Sequence, residues 1–102
     1  MQQDAVVEVS FVSEVIEWRG PAPYLFAPVT SPATDDVADW IEFSYGWGCI
    51  PVTARLGATT WETSLMPKDG RYLVPLRVSV QRAERVGLGD EVRIGLELRP
   101  AS

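Results

Sequence analysis

The chain contains no histidine and only one cysteine, and no apolar run approaches the ~20 residues that a membrane-spanning helix requires. Each absence excludes something. Without imidazole, the Ser-His and Cys-His nucleophile schemes fall away, as does every His-ligated zinc, iron or copper site. Cys49 alone cannot form an internal disulfide, so the fold must stand on its core. The N-terminus lacks the basic start of a secretory signal, and a soluble cytoplasmic domain is the expectation. Basic groups are also scarce, 9 against 14 acidic ones, for a net charge of −5. Such a chain repels a phosphate backbone on average.

What is present describes an ordinary folded domain. The chain has 102 residues, 46% apolar and 23% charged, which fits one domain spanning 1–102. Charge is unevenly placed: residues 1–65 carry a net of −7, whereas residues 66–102 carry a net of +2.

Apolar residues alternate with polar ones along most of the chain, the period of a half-buried strand. Val7, Val9 and Phe11 share one parity, then Val12, Ile16 and Trp18 the other, so a bulge or coil is predicted near residues 11–14. Gly20-Pro21 marks a turn, followed by a short strand at Tyr24-Leu25-Phe26. A helix is predicted over about 32–45. Ser31 or Thr30 caps it, Pro32 opens it, Asp35 and Asp36 oppose its dipole, Val37, Trp40 and Ile41 form its apolar stripe, and Gly46 ends it.

Strands are expected through Ile50–Leu56, Thr59–Met66 and Arg71–Leu76, with Lys68-Asp69-Gly70 turning the last two into a hairpin. Pro51 and Pro75 belong at an edge, a strand end or a bulge. A short helical turn over about 79–86 follows, capped by Ser79. Val80, Ala83 and Val86 lie inward, Gly87 takes the left-handed position, and Leu88 folds back onto it. Val92, Ile94, Leu96 and Leu98 make the final strand. Crossovers this short cannot wind a parallel sheet. The expected fold is mainly β: a small antiparallel barrel of about six strands with one α-helix and one helical turn.

The order Gly46-Trp47-Gly48, Ile50-Pro51-Val52, Thr60-Trp61-Glu62-Thr63-Ser64-Leu65, Lys68-Asp69-Gly70, Tyr72-Leu73-Val74-Pro75-Leu76 and Gly89-Asp90-Glu91-Val92 resembles the family catalogued as domain of unknown function 1905. The likeness runs from about residue 7 to residue 98 and implies a double-split β-barrel, with no established activity. Within it, Gly70-Arg71-x-x-x-Pro75, a short helix and Gly89-Asp90-x-Val92 are similar to the swapped-hairpin domains of transition-state regulators and antitoxins. Those bind DNA as dimers through basic residues, and this acidic chain departs from that balance.

Tyr45, Trp47, Trp61 and Tyr72 are the candidate aromatic lining of a ligand site; the plainer reading of such residues is core. Arg55 and Arg71 are the candidate anion contacts, against a plainer reading as solvated groups or partners of Glu8, Glu62 or Glu97. Glu14, Glu17, Glu42 and Glu62 offer no cleft or perturbed pKa that sequence can reveal, and Cys49 lacks a base, so no catalytic residue is assigned. Asp35, Asp36 and Asp39 lack the spacing of a calcium loop, and neither metal nor cofactor is expected.

The leading expectation is a non-catalytic binding or protein-interaction module. The alternative is a barrel with an aromatic-lined pocket for a small ligand, possible only if Val, Ile and Leu side chains leave the interior open. A DNA-binding dimer using Arg77, Arg82 and Arg85 ranks third. The expected partner is thus a protein or a small apolar or anionic ligand, not nucleic acid or a membrane, with a monomer favoured over a dimer.

Overall fold

Period-two alternation produces seven strands in the computed structural model, which describes residues 7–18, 24–30, 33–38, 49–68 and 70–98. They are β1 (Val7–Glu14), β2 (Ile16–Trp18), β3 (Tyr24–Pro28), β4 (Ile50–Leu56), β5 (Thr59–Lys68), β6 (Arg71–Leu76) and β7 (Glu91–Leu98), with short helices α1 (Ala33–Ala38) and α2 (Val78–Glu84). All pairings are antiparallel, in the order β1-β7-β4-β5-β6-β3-β2. The outermost strands of that order, β1 and β2, are halves of one segment divided only by Val15. The sheet therefore curls back on itself in a small antiparallel barrel whose two edge strands are joined through Val15.

The bulge or coil expected near residues 11–14 falls just beyond them, at Val15. The β1–β7 ladder runs unbroken from Val7↔Leu98 to Glu14↔Glu91, and Val12 points outward, 38% exposed. The break falls at Val15, whose N–H donates to the Asp90 carbonyl and whose carbonyl accepts from Gly89 N–H, both at 2.9 Å. Its side chain stays buried. One segment thereby becomes two strands, and six expected strands become seven.

A second division occurs in β5. Thr59–Leu65 pairs with β4, and only Met66–Lys68 pairs with β6, so the expected hairpin is laddered over three residue pairs before its arms part. The upper arm of β6 turns to β3 instead. Both prolines obey this plan. Pro51 precedes the β4–β7 ladder, which begins at Val52, so the N–H it lacks costs that ladder nothing. Pro75 faces β3 on one side and the gap left by β5 on the other. In that gap the Trp61 indole N–H donates to the Pro75 carbonyl at 3.2 Å.

The inward parities meet in one core that includes Phe11, Val15, Ile50, Leu65, Val74, Ile94 and Leu98. Ala33 and Val37 of α1 join it from one turn apart, and the Thr30 hydroxyl ties the start of that helix to β1 by donating to the Val12 carbonyl at 2.9 Å. The rest of the expected helix, with Trp40 and Ile41, its proposed opening at Ser31 and Pro32, and the turn at Gly20-Pro21 lie outside the described residues. The second helix differs from expectation at both ends. Arg77, not Ser79, stands at its N-cap, and Arg85, not Gly87, takes the left-handed conformation (φ 57°). Gln81 braces the helix: its side-chain amide donates at 2.8 Å to the Leu76 carbonyl just before the N-cap, and its own carbonyl closes the C-terminal turn by accepting from the Arg85 and Val86 N–H groups. Of the expected inward residues Val80 is buried and Val86 partly so, but Ala83 is exposed, as is Leu88.

The β4–β5 turn is closed by Gly57 and Ala58, with positive φ at Gly57 alone, the pattern of a type II′ turn. A side chain on Gly57 would run into the Glu84 carboxylate, which accepts a hydrogen bond from the Thr59 hydroxyl at 2.5 Å. Gly57→Ala should therefore cost about 1–3 kcal/mol, combining backbone strain with a displaced hydrogen bond. Urea denaturation checks this. In the Glu84→Ala background the same substitution should cost less, because only the backbone term remains.

Candidate functional site

Because strand neighbours alternate faces, the outward residues of β1, β7, β4 and β5 form rows across the outside of the barrel. One row is Ser10, Gly95, Arg55 and Thr60; the next is Glu8, Glu97, Thr53 and Glu62. Gly95 leaves a gap in the first row, and the Arg55 side chain lies across it. The Nη2 and Nε atoms of Arg55 are 3.6 and 3.7 Å from where a Gly95 Cβ would be.

Two clefts meet at this gap. One, of about 260 Å³, is lined by Glu8, Ser10, Thr53, Arg55, Thr60 and Glu97 among others. The other, of about 590 Å³, takes in Ser10, Arg55, Glu84, Glu91, Arg93 and the backbone at Gly57 and Gly95. Arg55 and Arg93 stand on the same outward face, Arg93 two positions from Gly95 along β7. Glu8, Glu62 and Glu97, the partners anticipated for Arg55, do share its face, yet among the described residues no ion pair or hydrogen bond engages its guanidinium. A fork of five donors with no acceptor is matched chemically by an oxyanion, which it can grip at two points.

The other sequence candidates fall elsewhere. Trp61 points inward, 7% exposed, and belongs to the core. Tyr72 is half-buried against that core, and its carbonyl accepts from Val29 N–H at 2.9 Å. Arg71 stands opposite Lys68 at the β5–β6 turn and lines neither cleft, so the structure does not bring it to Arg55. Tyr45 and Trp47 lie outside the described residues. Arg77, Arg82 and Arg85 surround α2, and Arg77 is engaged with the Glu62 carbonyl at 2.7 Å. Sequence reasoning missed Ser10, Thr60, Arg93 and Gly95. One signal was available: a glycine inside a strand marks a place where something approaches the backbone closely.

Fold and cleft together define a small antiparallel β-barrel with an apolar core and a polar, charged recess on its outer wall. The sequence model of the domain of unknown function DUF1905 matches residues 11–96, and the chain belongs to that family. No curated protein and no solved structure matches it. No helix among the described residues is long and apolar enough to cross a membrane.

Proposed function

We propose that this chain is a non-catalytic binding module whose site is the recess on the outer face of β1, β7, β4 and β5, with an oxyanion of a small ligand held by Arg55. The observation that carries this reading is the guanidinium laid over Gly95, with no acceptor among the described residues, at the junction of two clefts. The Ser10 and Thr60 hydroxyls in the same row supply further donors. The location of the core supports the outer wall over the interior: Val, Ile and Leu side chains, with Trp61 and Phe11, occupy the space between the strands. Among the described residues the large exposed apolar side chains Val12, Trp18, Val78 and Leu88 lie on four separate segments, which favours a polar recess over an apolar docking patch.

Amide chemical-shift mapping with acetate and with inorganic phosphate tests the reading. At least one anion should move the amides of Ser10, Arg55 and Gly95 together, and Arg55→Met should weaken that response by about tenfold or more while leaving the fold intact. Shifts confined to α2, or an undiminished response in Arg55→Met, would place the site elsewhere.

A further inference from the structure

Arg55 borders both clefts, and the two offer an anion opposite surroundings. The smaller cleft adds carboxylates and no second cation, whereas the larger one adds Arg93. Outward positions along a strand are about 6.8 Å apart, so Arg93 stands one row from the guanidinium that Arg55 lays over Gly95. Beside Arg93 the neighbouring strand has ended, at Leu56 opposite Ile94, and the turn at Gly57 presents no side chain. Among the described residues neither arginine side chain has a hydrogen bond or an ion pair. Two guanidiniums lining one recess repel each other, and an anion between them replaces that repulsion with two attractions. The far end of the cleft has the opposite sign. Glu91 lies two positions beyond Arg93, opposite Glu14 in the register, and the Glu84 carboxylate is held at Gly57 by the Thr59 hydroxyl. A second anionic group on the ligand would meet these carboxylates.

We propose that the larger cleft binds a phosphate monoester, its phosphoryl group shared between Arg55 and Arg93 and the rest of the molecule uncharged. This rests on the oxyanion site at Arg55 and names the class of its ligand. A carboxylate carries one charge and two oxygens, which one guanidinium fork satisfies. A phosphoryl group brings three acceptor oxygens and a charge of roughly −1.5 to −2 at neutral pH, a match for two forks. The Ser10 hydroxyl lines the same cleft and adds a donor. The volume of about 590 Å³ leaves room beyond the phosphoryl group for a small organic body beside Val86.

The experiment is an amide-shift titration of the whole chain with acetate, methyl sulfate, methyl phosphate, glycerol phosphate and phosphoglycerate, at roughly pH 7.5, where a phosphate monoester is doubly charged. Methyl sulfate has the shape of methyl phosphate and one charge fewer. Methyl phosphate should bind at least about tenfold more tightly than methyl sulfate, equivalent to about 1.4 kcal/mol, and should move the amides of Arg93 and Gly95 together. Arg93→Met should bring that ratio close to one, and Arg55→Met should weaken every probe. Glycerol phosphate should bind more tightly than phosphoglycerate, whose added carboxylate faces Glu84 and Glu91. If methyl sulfate matches methyl phosphate in the parent chain and Arg55→Met weakens both, the phosphate proposal is overturned and the oxyanion site stands. If phosphoglycerate binds as tightly as glycerol phosphate, the requirement for an uncharged remainder is overturned. If methyl phosphate binds and Arg55→Met has no effect, the phosphate is held elsewhere and both readings fail. Silence from every probe overturns both as well.

Discussion

Trp61→Ala should lower the stability of the barrel by about 3–5 kcal/mol, a large part of the roughly 5–15 kcal/mol available to a domain of this kind. The side chain is buried in the core on β5, and its indole N–H is a donor to the Pro75 carbonyl across the gap where β5 and β6 separate. Alanine removes both the volume and the donor. Trp61→Phe separates them: most of the packing is retained, the Pro75 carbonyl loses its partner, and a cost of about 1–2 kcal/mol is expected. Urea denaturation measures both values. The same pair decides what Trp61 is for. The Trp61→Phe chain should bind anions at Arg55 as the parent does, because Trp61 faces inward from β5 while Arg55 faces outward from β4. A binding loss in Trp61→Phe out of proportion to its stability loss would return this tryptophan to the ligand site.

Val15→Asp should abolish folding. Val15 is 1% exposed and both its backbone groups are bonded across to the Gly89-Asp90 turn, so the new carboxylate would have neither water nor a vacant donor nearby. Burying an unpaired charge costs several kcal/mol even after relaxation, enough to consume the whole stability of a small domain. Circular dichroism at 25 °C should show an unfolded chain. Val15→Ala, which trims the side chain and keeps the backbone bonds, should remain folded and lose about 2 kcal/mol. The contrast tests the closure of the barrel, since Val15 is where one segment leaves β7 and crosses to β3. A Val15→Asp chain with parent-like dispersed amide shifts would mean that the crossing tolerates solvent and that the barrel is open there.

The sequence conveyed strand positions well, because alternation is a local property. Ile50–Leu56, Arg71–Leu76 and the final strand are bounded as their periodicity and turn glycines suggested. Alternation placed the break of the first segment near residues 11–14 rather than at Val15, because Val12 is simply exposed. A β-branched residue on the wet face of a strand carries the same signal as one on the dry face. Helix α2 misled for a related reason: Ser79 and Gly87 have the right residue types, but Arg77 stands at the N-cap with no side-chain bond, and the C-terminal turn closes on the Gln81 carbonyl through contacts that residue type does not announce. Of the candidate site, Arg55 was legible as one of only two cations, with Arg19, in the acidic two-thirds of the chain. Its relation to Gly95, forty residues away, was not.

That division has a single physical origin. The sequence by itself determined the mainly β class, the position of nearly every strand, the turns at Gly57 and Gly70, and the exclusion of imidazole and disulfide chemistry. Each depends on a residue and its near neighbours. The tertiary structure alone decided which strands lie side by side: that one segment divides at Val15 to close the barrel, that β5 exchanges β4 for β6, and that β1, β7 and β4 align Ser10, Gly95 and Arg55 in one row beside Glu8 and Glu97. Register between distant strands is set by packing the whole core at once, so a recess built across three strands exists only after the barrel has closed.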